Sequence, residues 1–505
     1  MTNAIGPSKL RSEGNTVIVS NRLPRAADTN RATPAYLRPG KIGLAETLDS
    51  ILRNTGGTWV GCAPAEDADA LAQSAKIWRE CRGYSIVPVT LSTEEKSDYQ
   101  GFSNSVMWPL FHSLASYRKL ASDCWGGYCK VNGKIAAAVQ SVTRPEDFVW
   151  VHDYQLMMVA SLLRANGWCR RIGYFHHIPF PHPAVIEKLP WRVELLHALL
   201  QFDLVGFQTD GDRRNFIASL QEFLPLPRPV EIGGKFVVSV LDRVVRVGTY
   251  PVGIDCEALS GEASAPGVLA AMEGIRRFVG GARIVLGVDP LESTMGICER
   301  LMAFHRLLKN HPEMRGRVTM LQLAIPCSER NSEREPLKLE IEDVVDKING
   351  EFGTSDWTPV HFYHRQLTQA QLIAFYRSAD VALITPLRDG MNLVAKEFCA
   401  SRCDDRGVLV LSEFAGAAEE LKAGALLVNP YDIDRVARVV NRALEMNESE
   451  QLERMSALRS QIRKHNVFNW SRSFQTDAEL LLLPSWSRQM PRGVEHESRM
   501  PPSGF

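Results

Sequence analysis

Residues 148–181 read FVWVHDYQLMMVASLLRANGWCRRIGYFHHIPFP. The stretch opens on an apolar run, Phe148–His152, and closes on another, Ile172–His176, with a helix-length segment between them. Neither run alternates polar with apolar, so each reads as a strand buried on both faces of a parallel sheet. Each also ends on titratable residues, His152-Asp153-Tyr154 and His176-His177. In an open parallel sheet, ligands bind outside the carboxyl ends of the strands, where these residues fall.

Moving outward, the same pattern recurs. Strands are predicted at Thr16–Ser20, Leu204–Gln208, Val244–Tyr250, Arg283–Val288, Val318–Ala324, Val360–Tyr363, Val381–Thr385, Val408–Ser412 and Ala425–Val428. Helix-length segments separate them, such as Glu335–Asn349, where Leu337, Ile341, Val344, Val345 and Ile348 share one stripe. Strand and helix alternating over the whole length predict an α/β fold. A chain of 505 residues exceeds one compact core, so two domains of about 200–250 residues each are expected. The weakest patterning, Asp255–Gly267, puts the junction near Gly253, giving domains at 16–253 and 254–484. Residues 469–483 could return to the first domain. The Pro- and charge-rich residues 485–505 read as a disordered tail, and 1–15 as a shorter one.

Composition excludes several classes. Lys plus Arg and Asp plus Glu both total 58, so formal net charge is zero, against the basic excess of nucleic-acid or anionic-membrane binders. No run approaches the roughly 20 apolar residues of a membrane span, and the N-terminus has no apolar signal core. The ten cysteines are too few for a disulfide scaffold. Their nearest pairs, Cys124/Cys129 and Cys399/Cys403, lack C-x-x-C spacing, so reduced thiols in a cytoplasmic protein are expected. His176, His177 and His182 have no carboxylate or cysteine at ligand spacing, and no metal is expected. Of the adjacent His176 and His177, one should face the core and the other the cleft.

Polar residues follow strands in both halves: Ser20-Asn21-Arg22, His152-Asp153-Tyr154 and His176-His177 in the first, Arg388-Asp389-Gly390 in the second. One cleft between two domains is implied. From these residues alone the reading stops at a two-domain α/β enzyme.

Longer strings carry more. VIVSNRLP, YQGFSNSVMWPLFH, VWVHDYQLM, FHHIPFP, DLVGFQTDGDRRNF, YPVGID, INGEFGTSDWTPV, ADVALITPLRDGMNLVAKEF and VLVLSEFAGAAEEL together resemble the trehalose-6-phosphate synthases, from about Val17 to Phe474. The resemblance implies two facing doubly wound Rossmann-like domains (the GT-B arrangement) with the active site in the interdomain cleft. It implies retaining transfer of glucose from UDP-glucose to glucose 6-phosphate, without metal or other cofactor, in trehalose biosynthesis and osmoprotection. It also implies a homo-dimer or homo-tetramer and no nucleic-acid or membrane partner. By the resemblance Arg22, Tyr99, Trp108 and Asp153 hold the acceptor and His177 lies beside the donor glucose. Gly43, Leu367, Asp389, Gly390, Met391, Asn392, Leu393, Val394, Ala395, Lys396 and Glu397 hold the donor. Asp153, His177 and Asp389 form the catalytic set.

This chain departs from the family where the donor diphosphate sits. The family string G-V-D-R-L-D-Y-T-K-G is here Gly287-Val288-Asp289-Pro290-Leu291-Glu292-Ser293-Thr294-Met295-Gly296. Pro290 replaces an arginine and Met295 a lysine. Ser328 replaces an arginine facing the acceptor phosphate, with Arg330 nearby as its substitute, and Ile42 replaces the first of two glycines. Losing two charge-assisted contacts predicts a penalty of about 3–6 kcal/mol, two to four decades in affinity or rate. Three functions stay open: a working, slowed synthase, which is the expectation; a transferase with another donor or acceptor, such as a glucosylglycerol-phosphate synthase; and a sugar-phosphate-binding regulatory paralogue without turnover.

Overall fold

A computed structural model of the chain describes residues 14–23, 43–65, 78–114, 123–241, 243–326 and 334–480. Ile42, Ser328 and Arg330, residues 1–13 of the segment read as the N-terminal tail, and the segment read as the C-terminal tail lie outside them. The described strands form two sheets. The first contains β1 (Thr16–Arg22), β2 (Thr58–Pro64), β3 (Ser85–Leu91), β4 (Phe148–His152), β5 (Ile172–His176), β6 (Leu204–Phe207), β7 (Val230–Ile232), β8 (Lys235–Val240) and β9 (Arg243–Thr249). The second contains β10 (Arg283–Pro290), β11 (Val318–Ile325), β12 (Val360–His364), β13 (Val381–Ile384), β14 (Val408–Ser412) and β15 (Leu426–Val428).

Their orders match. The first sheet runs β3-β2-β1-β4-β5-β6-β9-β8-β7 and the second β12-β11-β10-β13-β14-β15. The second sheet and the first six strands of the first thus share the doubly wound order 3-2-1-4-5-6, which reverses direction beside its first strand. Those reversals lie between β1 and β4, paired in parallel with Val19 opposite Val151, and between β10 and β13, with Val285 opposite Val381. A crevice is expected at each, outside the carboxyl ends of the strands.

Burial accounts for the strands read from sequence, since every residue of β4, β5, β6, β13 and β14 is buried. β2, β3, β7 and β8 lie outside the expected set. β3 is an edge strand carrying Pro88, whose missing N–H is harmless where no further strand pairs. β7 and β8 form a hairpin around Gly233 and Gly234, both at positive φ.

The C-terminal helix Val467–Leu480 packs on the first sheet. Phe474 stacks on Trp150, ring centroids 4.7 Å apart at 12°. Gly173 and Gly206 make room for it, because a Cβ on either would lie within 2.7 Å of the Phe474 ring. Asp477 accepts a 2.7 Å hydrogen bond from the Tyr250 hydroxyl and pairs with Lys235 and Arg246. The chain therefore crosses between the sheets twice, and the two crossings touch: the Val467 N–H donates to the Ile254 carbonyl at 3.1 Å. A Cβ on Gly253 would sit 2.2 Å from the His465 carbonyl oxygen.

Candidate active site

A cavity of about 490 Å³ lies where the two reversals face each other. The first half contributes Asn21 and Arg22 after β1, Leu44 and Ala45, Asn104, Ser105 and Trp108, and His152-Asp153-Tyr154 after β4. The second contributes Leu291, Glu292 and Ser293 after β10, and Arg334 and Leu337 from the helix Arg334–Phe352.

Asp153 is held in an unusual backbone state, φ 75° and ψ 166°. Outside glycine that region costs about 1–3 kcal/mol and persists only where the surroundings impose it. Here the Asp153 N–H donates to the Phe175 carbonyl at 2.8 Å, while its carboxylate accepts the His177 N–H at 3.2 Å. Burial pushes the carboxyl up to about 6, against the opposing pull of the His177, Tyr154 and Ile178 amides. The strained turn holds a carboxylate of raised basicity on the cavity wall.

His176 and His177 are both buried, and they point to opposite sides of their strand. His176 packs among Phe111, Phe180 and Phe207. His177 turns toward the second sheet: its Nε2 lies 3.0 Å from His152 Nδ1 and its Nδ1 3.2 Å from the Met391 sulfur. Burial, with His152 and His176 adding to it, drives the His177 pKa well below the ordinary histidine value, so the ring is neutral. Both ring nitrogens already have protein partners. Donation to a sugar hydroxyl requires His177 to release one of them.

The Met391 contact is possible because the loop after β13 comes within van der Waals range of the first half. A Cβ on Gly390 would lie 2.1 Å from the His177 carbonyl oxygen and 2.7 Å from Ile178 Cα. The Asp389 carboxylate accepts the Met391 N–H at 3.3 Å and the Asn392 side-chain N–H at 3.0 Å, and burial raises its pKa. Asn392, left-handed at φ 59°, caps the helix Leu393–Ser401 by accepting the Ala395 N–H at 3.1 Å.

Other residues expected in the site stand elsewhere. Tyr99 is 2% exposed and stacks on Tyr128 in the first core, while its neighbours Gln100 and Gly101 line the cavity. A π-helical turn, Ser103–Met107, separates Tyr99 from Trp108, and such insertions shift the facing of everything beyond them. Lys396 is fully buried; its ammonium donates to the Val252 carbonyl at 2.6 Å and to both Glu420 oxygens at 2.8 and 2.9 Å. All three of its protons are committed, which makes it a tie between elements and leaves it no hydrogen for a ligand. The Leu367, Leu393, Val394 and Ala395 side chains belong to the core, so only their backbones can meet a ligand. Burial raises the Glu397 carboxyl to about 7 while it accepts the Tyr376 hydroxyl at 2.9 Å. Gly43 begins the helix Leu44–Thr55 at φ 124°, a value that favours glycine.

The diphosphate departures are visible in three dimensions. Pro290 ends β10, and Met295 is buried against Leu291 and Ile297. The nearest arginine, Arg300, is fully buried and spends all five N–H groups on Asp289, Gln322, Thr385 and the Met295 carbonyl. Among the described residues lining the cavity, Arg22 and Arg334 are the cations. Asn104, Ser105 and Arg334 escaped the sequence reading; the spacing of Asn104 and Ser105, four and three before Trp108, was a usable helical signal, and Arg334 had none.

Comparison with known proteins places this geometry in a lineage. The chain is 40% identical over 479 residues to a trehalose-6-phosphate synthase of Mycobacterium avium, covering 92% of this chain and 96% of that one. It is 40% identical over 472 residues to a bifunctional trehalose-6-phosphate synthase/phosphatase of Thermoproteus tenax, covering 91% of this chain and 62% of the longer relative. An α,α-trehalose-phosphate synthase (UDP-forming) from Burkholderia xenovorans in complex with glucose-6-phosphate superposes with a TM-score of 0.83 at 34% identity, covering 92% and 100% of the two chains. An E. coli protein bound with UDP-2-fluoro glucose gives 0.81 at 31% identity, covering 92% and 99%. With the family model for glycosyltransferase family 20 matching residues 14–480, the chain belongs to that family.

Proposed function

We propose that the protein transfers glucose from UDP-glucose to glucose 6-phosphate with retained configuration, giving trehalose 6-phosphate and UDP. The observation that carries this reading is the shared cavity itself. Asp153, Trp108 and Arg22 from the first half face Leu291, Glu292 and Ser293 after β10 across it, and the loop after β13 meets the first half beside it at His177, so an acceptor and a donor can be brought together there. Trp108 offers an aromatic face to the C–H side of a sugar, Asp153 a carboxylate to its hydroxyls, and Arg22 a cation to its phosphate. His177, Asp389 and the Met391 and Asn392 amides hold the donor glucose. The bond from glucose C1 to the diphosphate oxygen breaks and the bond from C1 to the acceptor oxygen forms.

The leaving diphosphate meets no free lysine or arginine at Pro290 and Met295. Its charge falls instead to peptide N–H groups at the uncapped start of the helix Ile297–Asn310. No metal is required in this reading, and among the described residues no group of three or more His, Cys, Asp or Glu is arranged to hold one. We assign the reaction to the cytoplasm, with osmoprotection as its physiological use and a homo-dimer or homo-tetramer as the working form.

The missing cations favour a second reading, in which the cleft binds sugar phosphate and regulates without turnover. UDP release from UDP-glucose plus glucose 6-phosphate separates the two, with GDP- and ADP-glucose as alternative donors and EDTA as the metal control. Measurable UDP release that rises about a hundredfold or more in Pro290→Arg/Met295→Lys supports a slowed synthase. No release by the unaltered protein with any donor refutes it.

A further inference from the structure

We infer that Arg334 is a phosphate-binding residue of the acceptor site, and that Glu292 occupies it when the site is empty; the inference rests on the acceptor proposed above. Arg334 lies on the helix Arg334–Phe352 and lines the cavity. An ion pair holds it to Glu292, whose carboxylate oxygen lies 3.5 Å from Arg334 Nη2, with both side chains partly exposed at 18% and 26%.

Their setting distinguishes this pair from an ordinary surface ion pair. Both side chains line the cavity that also holds Arg22, Trp108 and Asp153. The acceptor's sugar ring is assigned to Trp108 and Asp153, so its phosphate reaches toward cations, and Arg22 and Arg334 enter from opposite halves of the molecule. A phosphate dianion offers three oxygens to a planar guanidinium and competes well with a carboxylate held at a loose, partly solvated distance. Phosphate binding would then join the two halves through Arg22 and Arg334 and release Glu292 to water. It would supply from a new position the cation that Ser328 no longer provides.

Calorimetry on the full-length protein with glucose 6-phosphate, glucose and UDP tests this in Arg334→Gln, Arg334→Lys, Glu292→Gln and the unaltered chain. Arg334→Gln should weaken glucose 6-phosphate about ten- to a hundredfold, with Arg334→Lys recovering part of the loss. Glu292→Gln should tighten it about two- to fivefold by removing the competitor. Glucose and UDP affinities should hold within about twofold, which also certifies that the variants are folded. A purely structural ion pair would weaken the site in both directions of the swap. Equal affinity in Arg334→Gln and the unaltered protein, or weaker binding in Glu292→Gln, overturns the inference while leaving the acceptor intact. If the unaltered protein binds UDP but no glucose 6-phosphate, the acceptor assignment falls, and this inference with it.

Discussion

Replacing Asp153 by asparagine should abolish transfer and stabilise the protein. The strained backbone at φ 75° and ψ 166° is common to both residues, because asparagine has the same shape, so that cost cancels. The amide oxygen can still accept the His177 N–H that the carboxylate accepts at 3.2 Å. What disappears is a buried negative charge. Burial raises the Asp153 pKa from 3.8 to about 6, and each unit is about 1.4 kcal/mol of preference for the neutral form. Since the folded pKa lies above the unfolded one, the folded chain binds more protons, and stability falls as pH rises through the window from 3.8 to about 6. The charged form therefore costs the native state about 3 kcal/mol at pH 8, about 1.6 at pH 5 and about 0.6 at pH 4. These are upper figures, because water in the cavity reaches the carboxylate rim. For a folding unit of 150–250 residues, 3 kcal/mol corresponds to a rise in Tm of about 6–12 °C. Thermal unfolding of both proteins at pH 8, 6.5 and 5, alongside UDP release, measures each side of the exchange. An Asp153→Asn protein no more stable than its parent at pH 8, or a gain that fails to shrink toward pH 5, would refute the reasoning. So would undiminished transfer.

Three further outcomes follow from contacts elsewhere. Gly390→Ala places a methyl 2.1 Å from the His177 carbonyl oxygen, so the halves must part; UDP release should drop about a hundredfold or more with the thermal midpoint little changed, and activity within threefold of the parent would contradict the close approach. Lys396→Met strands the Glu420 carboxylate, 7% exposed, without its cation; unfolding should show a loss of about 3–5 kcal/mol, and a loss under about 1 kcal/mol would mean the pair carries no such stability. Phe474→Ala empties the space between Trp150 and Phe175, costing about 3–5 kcal/mol; an unchanged unfolding transition would show that the C-terminal helix does not hold the first sheet.

Much of the fold was readable because burial on both faces leaves a plain trace: a run such as Val381–Ile384 has no polar side to advertise. β3 breaks that rule because it is an edge strand interrupted by Pro88. The β7–β8 hairpin had a legible sign in Gly233-Gly234, two glycines between two apolar runs. On the cavity wall, Asp153 and Trp108 were legible because they follow a strand or sit in a long family string. The Tyr99 and Lys396 assignments came from the same strings, and both side chains are buried. A π turn decides which way Tyr99 faces, and Lys396 is claimed by a carboxylate 24 residues away. Neither event leaves a mark on the local sequence. Arg334 shows the reverse: its cavity-facing position depends on where β10 delivers Glu292, a meeting that only the folded chain arranges.

The departures at Pro290 and Met295 gain force from what the other cations are doing. A chain that lost two phosphate-facing charges could recover them by turning a neighbouring arginine or lysine into the gap. Arg300 and Lys396 are the natural candidates, and both are locked: Arg300 by a fully buried pair with Asp289, whose two oxygens it bridges, and Lys396 by Glu420 and a backbone carbonyl. Freeing either would leave a buried carboxylate unpaired at a cost of about 3–5 kcal/mol, as much as the missing contacts would have contributed. Packing thus forbids local repair. Gly287 shows how tight it is, since any Cβ there would sit 2.2 Å from the Gln322 oxygen and 2.7 Å from Arg300 Nη1. Compensation has to come from outside that lattice, from peptide dipoles at helix starts and from cations on the opposite wall. Among the described residues on the cavity wall, Arg22 and Arg334 are the cations, and both are assigned above to the acceptor phosphate. The cleft is therefore biased toward holding an acceptor phosphate over splitting a donor diphosphate, and saturation by glucose 6-phosphate should come well before the donor reaches its own half-saturation.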